Sequence, residues 1–241
     1  MSQPLYDRIG IGYSDYRRPD ARIAAEITGA LGAARSVVNV GAGAGSYEPG
    51  ERAVVAVEPS AEMIAQRSPA AAPALRGSAD ALPLRDGSFD AALAILTIHH
   101  WPDWRQGLRE MRRVARDRVV LFTWDPGHPG FWLVQEYFPE ILEVDHAIMP
   151  PLAGIAEVLG AVEVRPVPVP ADCADGFLGA YWRRPAEYLD AGARGAISSF
   201  ARLADPESAL ERLRADLADG GWERQNRALL ALPSLDVGYR L

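Results

Sequence analysis

The amino-acid sequence predicts an α/β domain with a mostly parallel sheet and helices on both faces. Helix-patterned and strand-patterned segments alternate from about residue 20 to 125, the order expected of βαβ winding. The strand-like runs are apolar with little two-residue alternation, as in strands covered on both sides. A run of glycines follows directly on the first strand, where open α/β sheets bind ligands.

Asp20 to Leu31 places Ile23, Ala24, Ile27 and Leu31 at helical spacing, with Gly32 as the stop. Val37 to Val40 reads as the first strand and Ala53 to Val57 as the second, ending at Glu58. Ser60 caps a short helix over Ala61 to Gln66, with Glu62 in its first turn. A third strand falls near Ala74 to Arg76 and a fourth over Asp90 to Leu96. Asp103 caps the next helix, which carries Trp104, Leu108, Met111 and Val114 on one face, and Arg118 to Thr123 is the fifth strand. Beyond it the pattern is less regular. Gly127 to Pro151 looks like an insertion over the strand ends. Helices are expected over Pro151 to Leu159, Pro206 to Leu217 (with an Arg212/Asp216 pair) and Trp222 to Leu232. Val162 to Val169 is strand-like, and Leu235 to Leu241 returns as a final strand.

The 241 residues, 49% hydrophobic and 24% charged, suit a single domain with a core large enough to stand without metal or disulfide staples. A lone cysteine, Cys173, excludes an intramolecular disulfide and fits a reducing compartment. The formal charge of −7 repels phosphate backbones, so no nucleic-acid partner is expected. No run reaches the roughly 20 apolar residues that span a bilayer, and the N-terminus lacks the apolar stretch of a signal peptide. The expectation is therefore a cytoplasmic protein, with no membrane partner, acting on a small molecule. The Ala/Arg/Gly bias suggests a bacterial source.

The glycines at 41, 43 and 45 form a G-x-G-x-G run. Position 46 is Ser46, so the G-x-G-x-x-G dinucleotide fingerprint fits poorly, and no Gly-Lys-Ser/Thr follows to make a P-loop. Glu58 closes the second strand 17 residues after Gly41. A carboxylate there can accept both hydroxyls of a ribose, and it would repel a 2′-phosphate.

Four segments together carry a resemblance. They are Val37-Val38-Asn39-Val40-Gly41-Ala42-Gly43-Ala44-Gly45, then Val54 to Glu58, then Gly77-Ser78-Ala79-Asp80-Ala81-Leu82-Pro83-Leu84, then Asp86-Gly87-Ser88-Phe89-Asp90. In this order and spacing they resemble class I S-adenosylmethionine-dependent methyltransferases, above all the subgroup of ubiquinone/menaquinone biosynthesis-type (type 11) enzymes. The resemblance runs from about residue 5 to 125. It implies a Rossmann-like fold with a mostly parallel seven-stranded sheet and a helical insertion or cap. One domain would fill 1–241: an N-terminal cap and first helix (1–35), a cofactor-binding half (36–125), and a substrate-side insertion with sheet completion (126–241).

The resemblance also implies residue roles, with S-adenosyl-L-methionine as cofactor and S-adenosyl-L-homocysteine as product. Gly41, Ala42, Gly43 and Gly45 would line the methionine part, and Glu58 would bind the ribose. Met63 or Pro59 would pack on the adenine, with Asp80 on its amino group and Ala79 and Ala81 at the pocket border. Leu96 and Thr97 would lie beneath the methionyl group. Tyr6, Tyr13, Tyr16 and Arg17 or Arg18 resemble a cap over the cofactor carboxylate. Asn39 stands where the family usually has an acid, two residues before the first glycine, so the negative charge favouring the cofactor's ammonium must come from elsewhere or be absent.

His99 and His100 follow the fourth strand and are the candidate catalytic groups, either one as a general base, His100 ahead. The bland alternative is that they only order the Trp101 turn. His128 and His146 are weaker candidates for the substrate pocket. Trp124, Phe131, Trp132, Tyr137 and Phe138 suit either a substrate chamber or ordinary core. The basic stretch Arg109 to Arg118 suits a solvated face, and Arg183 and Arg184 suit the surface or an acidic substrate. Adjacent histidines lack the i,i+4 spacing of a zinc helix, so no metal is expected. The reading is in-line methyl transfer to an O, N or C nucleophile of a small-molecule acceptor, by a monomer or homodimer. Open alternatives are a protein on the same scaffold that catalyses another reaction or senses the cofactor, and an NAD or nucleotide-sugar enzyme.

Overall fold

Five parallel strands form the centre of the molecule. The computed structural model describes residues 16–241. In chain order these residues form α1 (Ala21–Ala30), β1 (Ser36–Val40), β2 (Ala53–Glu58), α2 (Ala61–Ala65), β3 (Ala74–Arg76), β4 (Phe89–Ile95), α3 (Trp104–Val114) and β5 (Ala115–Trp124). The second half adds α4 (Pro139–Ile148), α5 (Leu152–Leu159), β6 (Val169–Pro170), α6 (Ala191–Gly195), α7 (Glu207–Ala218), α8 (Gly221–Gln225), β7 (Ser234–Leu235) and β8 (Tyr239–Arg240). The main sheet runs β3-β2-β1-β4-β5-β8, with β8 antiparallel to β5 and the rest parallel. The expected seventh strand is present as a short ladder: Arg165 and Leu241 exchange both backbone hydrogen bonds, and the Val167 N–H donates to the Tyr239 carbonyl. β6 leaves that edge to pair with β7.

Side-chain direction along the strands makes two cores. Val37, Ala91, Leu93, Val120 and Phe122 face one side with Ile23, Ile27 and Leu31 of α1. Val38, Val40, Ala92 and Ala94 face the other with Leu108, Met111 and Val114 of α3 and Ile155 of α5. Both faces are buried, which explains the missing alternation. The helix starts are capped as the sequence predicts. Asp20, Ser60 and Asp103 accept from the backbone N–H groups of Arg22, Met63 and Gln106.

The chain winds outward from β1 to β3, then returns to place β4 on the other side of β1. The carboxyl ends of β1 and β4 therefore flank the topological switch point, where such sheets bind ligands. The glycine run leaves β1 there, and Leu96 to Trp101 leaves β4 beside it.

The second half departs from expectation in two places. The helix expected over Trp222 to Leu232 stops at Gln225, because the Asn226 amide bonds back to the Trp222 carbonyl and Pro233 follows a separate single turn. The Arg212/Asp216 pair does not form; Asp216 accepts from the Tyr137 hydroxyl, and Arg212 donates to the Tyr137 carbonyl. The aromatic group, for which the sequence leaves chamber and core open, is core. Trp132 packs edge-on against Tyr137, Tyr188 and Trp222 at 5.2–5.8 Å, and its indole N–H donates to the Trp182 carbonyl. Cys173 is buried, and burial pushes its thiol up to about 12, so it is a packing residue. Among the described residues no helix is long and apolar enough to cross a membrane.

Candidate functional site

Gly41 begins the loop after β1 at φ +67°, the left-handed region that glycine adopts without strain. Its N–H and that of Ala42 donate to the Val57 carbonyl, tying the loop to β2. A Cβ at Gly41 would run into Thr97 Oγ1, so the loop lies directly on the turn that leaves β4. Gly43, at φ +53°, lies against the Met63 methyl of α2.

Glu58 ends β2 and is buried at 5% exposure. The Gly43 N–H donates to its Oε2 at 2.8 Å and the Ser60 N–H to its Oε1 at 2.9 Å. One carboxylate thus fixes the glycine loop and the entry to α2.

Asn39 is 1% exposed on the cavity wall. Its Nδ2 donates to Glu48 Oε1 at 3.3 Å, and its Oδ1 has no partner. The acid that the sequence lacks at position 39 is therefore supplied next door, yet it is engaged. Arg67 forms a buried ion pair with Glu48 at 2.7 Å, their side chains 5% and 8% exposed. Arg67 also donates to the Gly43 and Ala72 carbonyls. This clamp joins the glycine loop, α2 and the segment before β3.

A cavity of about 250 Å³ runs across the switch point. One end is walled by Asn39, Gly41 to Gly43, Glu58 to Ser60, Met63, Ser78 and Ala79. Leu96 and Thr97 form the middle; Leu96 sits at φ +49°, a conformation costly for a residue with a Cβ and one that recurs at functional sites. The other end is walled by His99 to Pro102, with Ile148 from α4 and the guanidinium-bearing residues Arg17 and Arg202.

At that second end the imidazoles of His99 and His100 lie 3.8 Å apart, centre to centre. His99 Nδ1 is enclosed without a hydrogen-bond partner among the described residues. Burial holds His99 well below its ordinary range, helped by His100, Arg202 and Arg17. Burial and Arg202 bring His100 down to about 3. Both rings are neutral at physiological pH. Arg17 is paired with Asp175 at 2.7 Å. Asp175 also accepts from the Tyr47 hydroxyl, linking the glycine loop to the C-terminal half.

Of the residues singled out from sequence, the cavity gathers Gly41, Ala42, Gly43, Glu58, Pro59, Met63, Ala79, Leu96, Thr97, His99 and His100. Others lie off it. A Cβ at Gly45 would face Arg67, Ala71 and Glu48, within the clamp. Asp80 lies beside the wall, accepting from the Ser78 hydroxyl, while Ala81 is exposed. Arg17 reaches the cavity, whereas Arg18 points to solvent. Tyr16 packs on Gly176 and Gly192 and bonds to Asp190. Tyr6 and Tyr13 lie outside the described residues. His146 is exposed on α4, and His128 sits against Arg240, so neither lines the cavity. Arg113, Arg116 and Arg118 are not a free basic face: they bind Glu110, Asp90 and the Ala30 carbonyl. Arg184 donates to the Cys173 carbonyl. Ser78, Ile148 and Arg202 line the cavity without having been singled out from sequence. Ser78 lies within the third motif, but no motif marks the other two.

Residues 38–123 match a family model described as a methyltransferase domain. The chain superposes on a protein of Anabaena variabilis ATCC 29413, described as a candidate methyltransferase from an antibiotic biosynthesis pathway. The two are 37% identical, with a TM-score of 0.84, covering 93% of this chain and 96% of that one. The curated relatives match over short segments. YafE of Escherichia coli is 35% identical over 63 residues, covering 24% of this chain and 30% of that protein. The chloroplastic 2-methyl-6-phytyl-1,4-hydroquinone methyltransferase 2 of Oryza sativa is 37% identical over 59 residues, covering 24% of this chain and 17% of that enzyme. The match over 93% of the chain, the family model over the five central strands and the glycine loop facing Glu58 together establish that the chain belongs to the class I methyltransferases that use S-adenosylmethionine as cofactor.

Proposed function

We propose that this protein transfers the methyl group of S-adenosylmethionine to a small-molecule nucleophile bound at the His99–Arg202 end of the cavity. The observation that carries the reading is Glu58, a buried carboxylate held by two backbone N–H groups on the wall of a cavity that continues to a second, differently lined end. The residues at the first end fit the cofactor. Glu58 suits the ribose hydroxyls, Pro59, Met63 and Ala79 make an apolar slot for the adenine, and Asn39 offers an unpartnered acceptor atom to an ammonium.

When bound, the cofactor supplies an electrophilic methyl carbon on sulfur. The protein's work is positioning and exclusion of water. The Gly41 to Gly43 backbone approaches without side chains, Leu96 and Thr97 support the junction of the two ends, and His99, His100 and Ile148 wall the acceptor. The hydroquinone named for the rice relatives is a small-molecule acceptor, in keeping with this class.

Calorimetric titration with S-adenosylmethionine and S-adenosylhomocysteine tests the reading, followed by an acceptor screen that reads S-adenosylhomocysteine release. Both ligands are expected to bind, and both to be weakened in Glu58→Ala. A folded protein that binds neither ligand refutes the proposal.

A further inference from the structure

Among the described residues, the charged side chains lining the cavity are Glu58, held against the glycine loop, and Arg17 and Arg202, whose fields reach His99. Arg17 is neutralised by Asp175 at 2.7 Å. The Arg202 guanidinium makes no hydrogen bond or ion pair among the described residues, although its residue lines the cavity. Asp145 of α4 accepts from the Ser199 hydroxyl at 2.9 Å and lies within electrostatic reach of Arg202 without a direct contact to it. Among the described residues, the acceptor end therefore presents one guanidinium whose N–H groups have no hydrogen-bonded acceptor.

The same geometry makes His99 a poor proton acceptor. A histidine base ordinarily has a carboxylate or carbonyl on its second nitrogen to orient it and to stabilise the imidazolium. His99 Nδ1 is enclosed without such a partner. A proton on Nε2 would create a cation 3.8 Å from the His100 ring and within the field of Arg17 and Arg202. What this end stabilises is an anion, and a neutral imidazole can still donate or accept a hydrogen bond to it.

We propose that the acceptor reacts as an oxygen anion, a carboxylate or an ionised phenol, held by the Arg202 guanidinium against the His99–His100 wall. This rests on the methyl-transfer reading above and narrows its substrate class. The acceptor oxygen forms a bond to the methyl carbon as the carbon–sulfur bond breaks and its electron pair stays on sulfur. The anion and the sulfonium become a neutral methyl ester or ether and a neutral thioether. No proton moves, so no general base is required. Arg202 is an acceptor-binding residue in this scheme, and the histidines shape and hydrogen-bond the anion rather than deprotonate it.

The test uses the full chain saturated with S-adenosylhomocysteine, at constant ionic strength. It is titrated with acetate against acetamide and with benzoate against benzamide, each pair alike in shape and different in charge. At least one acid is expected to bind about tenfold more tightly than its amide, as a charge-assisted contact to a guanidinium allows. That preference should vanish in Arg202→Gln and survive in Arg183→Gln, an exposed arginine off the cavity. Equal binding within both pairs, no binding of either acid, or a preference that persists in Arg202→Gln overturns the inference. Failure of S-adenosylhomocysteine to bind the unaltered protein instead removes the methyl-transfer reading, and this inference with it.

Discussion

Glu58→Ala separates a structural from a ligand-binding contribution in one side chain. The carboxylate is 5% exposed and receives the Gly43 and Ser60 N–H groups at 2.8 and 2.9 Å. Truncation leaves two donors without their acceptor, at roughly 1–3 kcal/mol each where water cannot reach them. Water entering the space left by the side chain reduces this, so the expected loss of fold stability is about 2 kcal/mol. The loss for the ligand is separate. Two ribose hydroxyls on a carboxylate are worth about 3 kcal/mol net, or roughly a hundredfold in Kd. Urea melts read the first number and calorimetry with S-adenosylhomocysteine the second. Glu58→Gln keeps the shape but turns an amide NH2 toward a backbone N–H, so it should give a smaller stability loss and a similar affinity loss. A Kd within about threefold of the parent in both folded variants would refute the ribose assignment, even if stability falls as expected.

Removing half of the Glu48–Arg67 pair should destabilise strongly. Arg67→Met leaves a buried carboxylate without its cation, at about 3–5 kcal/mol, and Glu48→Met/Arg67→Met should recover much of that loss in a denaturant melt. Asp145 is 1% exposed, and burial raises its carboxyl to about 6. A carboxyl raised in the folded state favours folding when protonated, so its contribution is complete below the unfolded value and fades as pH rises through about 6. Asp145→Asn should therefore be more stable than the parent at pH 8, by roughly 2–3 kcal/mol, with the difference vanishing near pH 4; equal stability at both pH values would contradict the assignment. Nitrogen-15 spectra of the imidazoles should show His99 and His100 neutral from pH 8 to 5. Depressed histidines favour the fold above their unfolded value and withdraw that support as pH falls below it. A titration centred near 6.5 for both rings would refute the buried, neutral pair.

The parts of the site that were legible in the sequence are those whose signal is local. A strand running into Gly41, Gly43 and Gly45, and a second strand ending on Glu58, are written in consecutive residues, and the parallel sheet fixes their distance. Arg17 and Arg18 could not be told apart in the sequence, because neighbouring arginines differ in direction rather than in type: Arg17 lines the cavity and finds Asp175, which is 158 residues away in the chain, while Arg18 is exposed. Ile148 and Arg202 come from the irregular half, where nothing in their own neighbourhood marks them. The aromatics between Trp124 and Phe138 show the converse limit. Hydrophobic bulk announces burial, but only the packing of Trp132 against Trp222 decides that the buried space is filled. Asn39 marks the missing acid in the sequence itself, while Glu48 and its guanidinium partner emerge only in three dimensions.

The ion pair beneath the glycine loop also bears on how quickly and at what entropic cost a cofactor can be taken up. A loop of small residues would ordinarily wander, and a ligand would have to collect it from many shapes. Here the loop's Gly43 carbonyl is already anchored by Arg67, and its Gly43 amide by Glu58. The loop behaves as a cast mould. Its amides should exchange slowly with deuterium before any ligand arrives, and association should follow a single phase set by diffusion into the cavity rather than by rearrangement of the loop.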